Sequence, residues 1–592
     1  MMDRKNLLFY DLEVTAFDAL AVFMDIDGNE VAHFWNNRGR SKVEEPSGFE
    51  GIEELVKKNV LVGYNNYSYD DNILSLMMNS AIKIEVIKNH SDMIVKGEGF
   101  SGTRNKDICS LDTMQQIDVS HPSLKQIEGN MGMSIVESSI PFDIGRPLTD
   151  PERDEMLEYC RHDVKATIAV FKLREKSYFE VKQGLLDMLP EDVNKEEASR
   201  WNTTTLSANL LLGNRLTSRW PVRKLPSGYW GKVRGIPPEV WDMWEACTTP
   251  ESVTGKGKSK TIKACGCNFV FGMGGLHGAP SKPGRYRKVK HKDVASMYPS
   301  SIVHLNALGP ATEKYDEMRK QRVAIKKTDP VKAGALKIIL NSVYGNFKNR
   351  FSSLYNPMAS ATVCIYGQIA LFSLCRDLYE AGYKIINANT DGVVYDDNPE
   401  LNGIDEEICK RWEQEFDGYT LETDYFDEWI QRDVNNYIAV EEDGKLTVKG
   451  GDVNKYQTNK FFSNNSIRIV QIAMVEKLVN GTHPFDTFEK YLDKPMLWQY
   501  ILKAGGTYKG VQNKDGEWMN KVNRVFACMD RPDIPHTKLY KIRWDDGQVN
   551  FPDVPELMYI WNDDVNDLKD FEKIVDQEYY YKLVTDKLKG WP

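Results

Sequence analysis

The chain has 592 residues, too many for one hydrophobic core and enough for about four domains. Apolar content of 41% and charged content of 27% are those of an ordinary soluble globular protein, and no stretch reaches the ~18 uninterrupted apolar residues of a membrane helix. The net charge of −10 counts against nucleic-acid binding by the surface as a whole. Nine scattered cysteines form no Cys-x-x-Cys pair, Cys265 and Cys267 alone do not make a zinc site, and Met1 to Asn6 leads into a strand rather than a signal peptide. An intracellular protein with reduced thiols is expected. Internal repeats and low-complexity tracts are absent.

Leu7 to Val14 has strand composition and carries Asp11 and Glu13, which a period of two puts on one face. Acids on an otherwise apolar strand are costly to bury unless a cation or hydrogen bonds neutralise them. Gly63 to Asp70 places Asn66 and Asp70 four apart, and the spacing predicts a helix from about Asp150 to Lys172 with Tyr159 and Asp163 on one face. Taken singly, Tyr159 reads as a half-buried helix residue and Asp163 as a helical ion pair. Together, four acids and a tyrosine make a two-metal site for phosphodiester hydrolysis, with Tyr159 orienting the attacking water.

From about Arg174 to Lys260, a tryptophan-bearing stretch with a Lys/Gly loop reads as a connection. Basic runs follow at Lys256–Lys260, Arg285–Lys292 and Arg319–Lys327, and two of the three flank a second constellation. Asp293 ends a strand-like run and begins Asp-Val-Ala-Ser-Met-Tyr298-Pro. Lys337, Asn341 and Tyr344 fall on one helical face, and Asp391 sits at an Asp-Gly hairpin signal between the short strands Ile385–Ala388 and Val393–Tyr395. Carboxylate, helix with a basic and an aromatic residue, carboxylate on a hairpin is the order a nucleotidyl-transfer site needs. Beyond about residue 450, helical patterns occur near Ser466–Val479, Phe485–Leu502 and Tyr579–Leu588.

The three N-terminal segments resemble the exonuclease motifs of proofreading DNA polymerases. Asp293-Val-Ala-Ser-Met-Tyr298-Pro-Ser, Lys337-Ile-Ile-Leu-Asn341-Ser-Val-Tyr344-Gly345 and Asn389-Thr-Asp391-Gly392 resemble the polymerase motifs of family B DNA polymerases. All six occur in the family order from Asp11 to Asp391. The resemblance implies an α/β multidomain fold, with an RNase H-like 3′→5′ exonuclease domain at 1–180 and a connecting region at 181–262. A right-hand polymerase follows: palm at 263–310 and 351–448 as an antiparallel sheet with helices, helical fingers at 311–350 and thumb at 449–592.

It also implies roles. Asp293 and Asp391 would hold two Mg²⁺ ions (Mn²⁺ as an alternative), and Tyr298 would exclude a ribose 2′-hydroxyl. Arg322, Lys326, Lys337, Asn341 and Tyr344 would bind the incoming dNTP. In the front domain, Asp11, Glu13, Asp70 and Asp163 would bind metal and Tyr159 would position water. Asn66, Ser123, Leu124, Gly274, Gly275 and Tyr437 would contact DNA, Ser123-Leu124-Lys125 resembling a single-strand-binding motif, although Phe271–Gly278 reads equally as a plain turn. The partners implied are primer-template DNA, dNTPs and accessory processivity or single-strand-binding factors, with no membrane, for a monomer acting in DNA replication in the cytoplasm (the bacterial host's if phage-encoded).

The chain departs from the family pattern twice. Asn389 stands where the hairpin motif has its first acid, and Asn435-Asn-Tyr437 stands where the family has Lys-x-Tyr; Lys449-Gly450 restores positive charge nearby. The spacings from Tyr298 to Lys337 and from Gly345 to Asp391 leave no room for the insertions of protein-primed relatives, so a nucleic-acid-primed enzyme with modest unaided strand displacement is expected. The alternatives are a protein-primed family B polymerase, an editing nuclease with an impaired polymerase site, and a catalytically silent DNA-binding subunit.

Overall fold

A computed structural model describes residues 4–37, 49–79, 82–98, 105–213, 235–247, 249–254, 258–401, 403–457, 460–463 and 465–592. The Met1 to Asp3 opening and part of the Lys256–Lys260 run lie outside these. The chain divides into two units. The first comprises Met1–Asn202, Asn459–Arg468 and Lys490–Tyr579; the second comprises Thr203–Thr458, Ile469–Glu489 and Tyr580–Pro592. The architecture is α/β, with several sheets and many helices.

In the first unit, β1 (Leu7–Val14), β2 (Asp18–Met24), β3 (Glu30–Asn37), β4 (Val60–Gly63) and β5 (Ser110–Asp112) form a sheet in the order β3-β2-β1-β4-β5. Strands β1 to β3 are antiparallel; β4 runs parallel to β1, and β5 to β4. Alternation sorts β1 cleanly. Leu8, Tyr10, Leu12 and Val14 enter one core with helices Asp70–Met77 and Ile84–Lys96, whereas Leu7 and Phe9 enter another with Met156, Cys160 and Val164 of the helix Asp150–Arg174. That helix starts where a Thr149/Glu152 capping box, Pro151 and two acids in the first turn favour it, and Lys172 and Arg174 suit its end.

The segment expected to form a thumb over 449–592 is divided between the units. Residues 490–579 belong with the N-terminal unit as two antiparallel sheets, one made of β15 (Tyr500–Lys503), β18 (Val522–Ala527) and β21 (Met558–Ile560). Of the helical pattern at Phe485–Leu502, only Pro484–Lys490 is α-helix. Pro495 begins a 3₁₀ turn, and Tyr500–Lys503 alternates in burial and pairs with β18. The outer two helices occur as Arg468–Asn480 and Gln577–Leu588. The connection at 181–262 is likewise split after Asn202.

One buried side chain ties this segment to the unit. Arg524, fully buried on β18, donates to Gln499 Oε1 (2.8 Å) and to the carbonyls of Asp563 (2.5 Å) and Met133 (2.7 Å), with the Gly129 carbonyl at 3.4 Å. Gly129 lies in the last turn of the helix Leu124–Met131 and Met133 just beyond its Gly132 cap, so the guanidinium and Gln499, which donates to the Gly129 carbonyl at 3.0 Å, hold that helix end.

In the second unit, nine strands run in the order β14-β13-β12-β9-β11-β10-β8-β7-β6. These are β6 (Lys260–Ala264), β7 (Cys267–Phe271), β8 (His277–Ala279), β9 (Gly284–Val294), β10 (Ile385–Asn389), β11 (Gly392–Asp396), β12 (Leu421–Asp433), β13 (Asn436–Val440) and β14 (Leu446–Lys449). The helix Pro357–Glu380 passes a length-and-hydropathy test for a membrane span, but 89% of its most apolar window is buried within this core. Helices Thr312–Ile325 and Pro330–Asn346 form a hairpin. Tyr315, buried, donates to the Leu340 carbonyl (2.8 Å), and Asp329 caps the second helix through Lys332 N–H (3.0 Å) with Pro330 as its first residue.

Truncating Arg524 to Ala leaves buried acceptors on both sides of this attachment. It should destabilise the first unit by about 3 kcal/mol or more, read as a lower denaturant midpoint, while Lys509→Ala at an exposed position of the same unit should cost under about 0.5 kcal/mol.

Candidate active sites

In the first unit, β1 turns Asp11 and Glu13 toward the helix Asp150–Arg174. The Cys160 thiol of that helix lies 3.5 Å from the Asp11 carbonyl, and Asp11, Glu13 and Cys160 form one cluster of potential ligand atoms. Burial, and after it the charge of Asp163, holds Asp11 well above the usual carboxylate range. Burial followed by Asp11 does the same for Glu13, and burial followed by Asp11 for Asp70. Asp70 opens its helix, where the dipole favours an acid. Asp163 adds its charge to Asp11 and Glu13, and its own carboxylate is ion-paired to Lys125 and clusters with Glu128 and His162. Lys125 also sits 4.6 Å over the Tyr159 ring, so the two residues read on that helix face share one cation.

Behind these acids lies a network that the sequence did not single out. Asp71, fully buried, accepts from Tyr10 Oη (2.5 Å), Ser110 Oγ (2.6 Å) and Asn66 Nδ2 (3.0 Å), and is ion-paired to Arg200, which stacks on Tyr67 (4.0 Å). Four donors satisfy one buried carboxylate and fix the turn from Asn66 to Asp70. Asn66 is thereby turned inward and fully buried rather than presented to a strand. Ser123 is likewise engaged locally, as the N-cap of Leu124–Met131 in a capping box with Gln126, and Leu124 packs on a small cluster with Ile117, Ile127 and Val170. The adjacency of Asp71 to Asp70 was the only available signal for the first of these; Arg200 gave none.

In the second unit, antiparallel pairing of β9 with β11 sets Gly392 opposite Asp293, and the Val294 N–H donates to the Asp391 carbonyl (2.8 Å). The two carboxylates are thus brought together. Burial, then Asp391, Glu422 and Asp424, pushes Asp293 up to about 7, and burial raises Asp391. Glu422 and Asp424 come from β12, where the register puts them opposite Asp293 and His291. Neither Asp293 nor Asp391 has an ion-pair partner among the described residues.

The turn carrying Asp391 is tightly held. Thr390 is left-handed (φ 60°) and its N–H donates to the Leu276 carbonyl (2.8 Å), while a side chain added at Gly275 would meet Thr390 Cβ at 2.8 Å. Gly275 therefore has a packing reason independent of any ligand; Gly274 faces open space. Tyr298, one residue into the helix Met297–His304, stacks on Tyr344 with ring centroids 4.0 Å apart and planes 10° off parallel. Lys337 and Asn341 are exposed on the same helix as Tyr344. Arg322 is half-buried and Lys326 caps its helix, and no ion pair involves either among the described residues. The Arg285–Lys292 run, by contrast, is neutralised: Lys288 pairs with Asp427, Lys290 with Asp405 and Lys292 with Glu406.

The two departures from the family pattern touch each other. Asn389 Nδ2 donates to the Val434 carbonyl (3.1 Å) and to Asn435 Oδ1 (3.3 Å). An amide pair occupies the place where the pattern has an acid and a lysine. Tyr437, two residues on, stacks on Trp429 (4.2 Å), stands opposite Lys449 across β13 and β14, and is pushed up to about 12 by burial and by Asp391 and Asp293. A groove of about 670 Å³ beside it is lined by His291, Asp424, Trp429, Tyr437 and Lys449 among others.

No protein-family profile matches the chain. A DNA polymerase from Archaeoglobus fulgidus is 20% identical over 527 residues, 82% of this chain and 61% of that protein. DNA polymerase 1 from Saccharolobus solfataricus is 26% identical over 182 residues, 30% of this chain and 19% of that protein. The chain thus spans less than two thirds of the length of these relatives. Among solved structures, the family B DNA polymerase of Pyrobaculum calidifontis aligns over 98% of this chain and 77% of its own, at 14% identity and a TM-score of 0.41.

Asn389→Asp alone would set a carboxylate against the Val434 carbonyl and Asn435 Oδ1. It should destabilise the second unit by about 1 kcal/mol or more, and Asn435→Lys added to it should restore most of the loss; a double-mutant cycle on the denaturant midpoint reads this coupling.

Proposed function

We propose that this chain is a family B DNA polymerase: a DNA-templated DNA polymerase with a 3′→5′ proofreading exonuclease, primed by nucleic acid and acting in phage DNA replication, a reading supported by its similarity to two archaeal DNA polymerases. The observation that carries the synthetic half is the pairing of β9 with β11, which brings Asp293 and Asp391 together out of water with no basic partner among the described residues. An uncompensated set of carboxylate oxygens fits a hard divalent cation such as Mg²⁺. Bound there, the metal supplies activation of the primer 3′-hydroxyl and neutralisation of charge on the departing pyrophosphate.

The chain's own residues do the rest. Arg322, Lys326 and Lys337, on facing helices and free of ion pairs among the described residues, meet the triphosphate. Tyr298, held in place by its stack on Tyr344, would stand against the sugar and exclude a 2′-hydroxyl. Tyr437 and Lys449, opposite each other on neighbouring strands, face the primer terminus. For the editing half, Asp11, Glu13 and Asp70 hold metal, Asp163 completes the set when released from Lys125, and Tyr159 orients the attacking water.

Asp391→Asn should abolish magnesium-dependent primer extension and spare degradation, and Asp11→Ala should do the reverse. Survival of synthesis in both would overturn the assignment. Tyr298→Ala should admit ribonucleotides, seen as alkali-labile products. On singly primed circular templates the protein alone should stop at the first duplex; long displacement products would refute nucleic-acid priming with modest strand displacement.

A further inference from the structure

Glu128 and His162 take no part in the site just described, yet they converge on it. Glu128 lies three residues after Lys125 on the helix Leu124–Met131, and His162 precedes Asp163 on the helix Asp150–Arg174. Ligand atoms of Glu128, His162 and Asp163 all lie within 4.8 Å of one another. The Glu128 side chain is 0% exposed, Oε1 is 3.3 Å from Lys125 Nζ and 3.4 Å from His162 Nε2, and Oε2 has no hydrogen-bond partner among the described residues. His162 Nε2 is also without one. A buried carboxylate with an unserved oxygen, facing a ring nitrogen without a hydrogen bond between them, lacks a cation. Lys125 supplies one charge to two carboxylates, Glu128 and Asp163, and cannot reach the remaining lone pairs of all three groups.

An entry path exists. A groove of about 340 Å³ is lined by Glu137, Tyr159, His162 and Lys165, so the imidazole side of the cluster opens to solvent while Glu128 stays inside.

We propose that Glu128, His162 and Asp163 form a binding site for a divalent transition-metal cation, with Lys125 as the internal cation that the metal displaces. One nitrogen and two carboxylates favour Mn²⁺, Co²⁺ or Zn²⁺ over Mg²⁺. Occupancy would draw Lys125 away from Asp163 and Tyr159 and so set the availability of Asp163. That last consequence rests on the nuclease reading; the site itself does not.

The test uses Mn²⁺ alone on the full chain carrying Asp293→Asn, Asp391→Asn and Asp424→Asn, which removes the carboxylates beside His291. Pulsed electron paramagnetic resonance should show a bound Mn²⁺ coupled to an imidazole ¹⁴N. His162→Gln should abolish the coupling, and Lys125→Met should tighten that binding about tenfold or more by removing the competing charge. Absence of the coupling in the parent, its survival in His162→Gln, or unchanged or weaker binding in Lys125→Met would each overturn the proposal. The parent spectrum decides even if a variant fails to fold. Adding Asp11→Ala, which tests the nuclease reading by loss of degradation, should leave the ¹⁴N coupling in place; its loss would assign the ion to the Asp11 cluster instead.

Discussion

Like-charged carboxylates kept close together out of water repel unless a proton or a positive charge sits between them, and both units of this chain are organised around that constraint. In the first, Asp11, Glu13, Asp70 and Asp163 each raise the proton affinity of at least one neighbour, and Lys125 is a basic group ion-paired among them. In the second, Asp293 carries the repulsion of Asp391, Glu422 and Asp424 with no basic side chain paired to it among the described residues. The scaffold holds these groups where they would not otherwise stay. Register fixes the strand acids, a left-handed threonine wedged against Gly275 fixes the hairpin, and a four-donor cage around Asp71 fixes the helix start beside Asp70.

The contrast between served and unserved charge separates structure from function within each unit. Asp71 has every oxygen met by a donor, and the lysines of β9 each have an acid; these groups hold the fold. Asp293, Asp391, Arg322, Lys326 and Lys337 have no ion-pair partner among the described residues and are available to ligands. The overall charge of −10 said little about this, because the informative quantity is which charges remain uncompensated.

What could be read in the sequence was what repeats at short range. The period of two on β1 put Asp11 and Glu13 on one face, the helical period put Tyr159 with Asp163 and Lys337 with Asn341 and Tyr344, and the Asp-Gly signal marked the hairpin between β10 and β11. What could not be read depended on residues far apart in the chain. Ser123 and Asn66 looked like ligands, but a capping box and the charge of Asp71 claim them. The stretch after 490 looked helical because its apolar spacing suits either period over so short a length. Pairing with β18 decided for strand, and the partner of that strand's buried arginine lies nearly four hundred residues earlier.

That arginine has a consequence for how the chain comes into being. The first unit is interrupted by residues 203–458, so its last sheets and the guanidinium that clamps Gly129 and Met133 are synthesised only after nearly the whole second unit has left the ribosome. The usual order, in which the N-terminal domain closes before the next is made, does not hold here, because the first unit needs residues up to 579 and the second needs Tyr580–Pro592. The front half must wait, with Asp71 and the strand acids assembled on an open core, until residue 579 arrives. The segment that completes it acts as a late-arriving clasp, and a nascent chain halted before it would hold two units, each still missing its last piece.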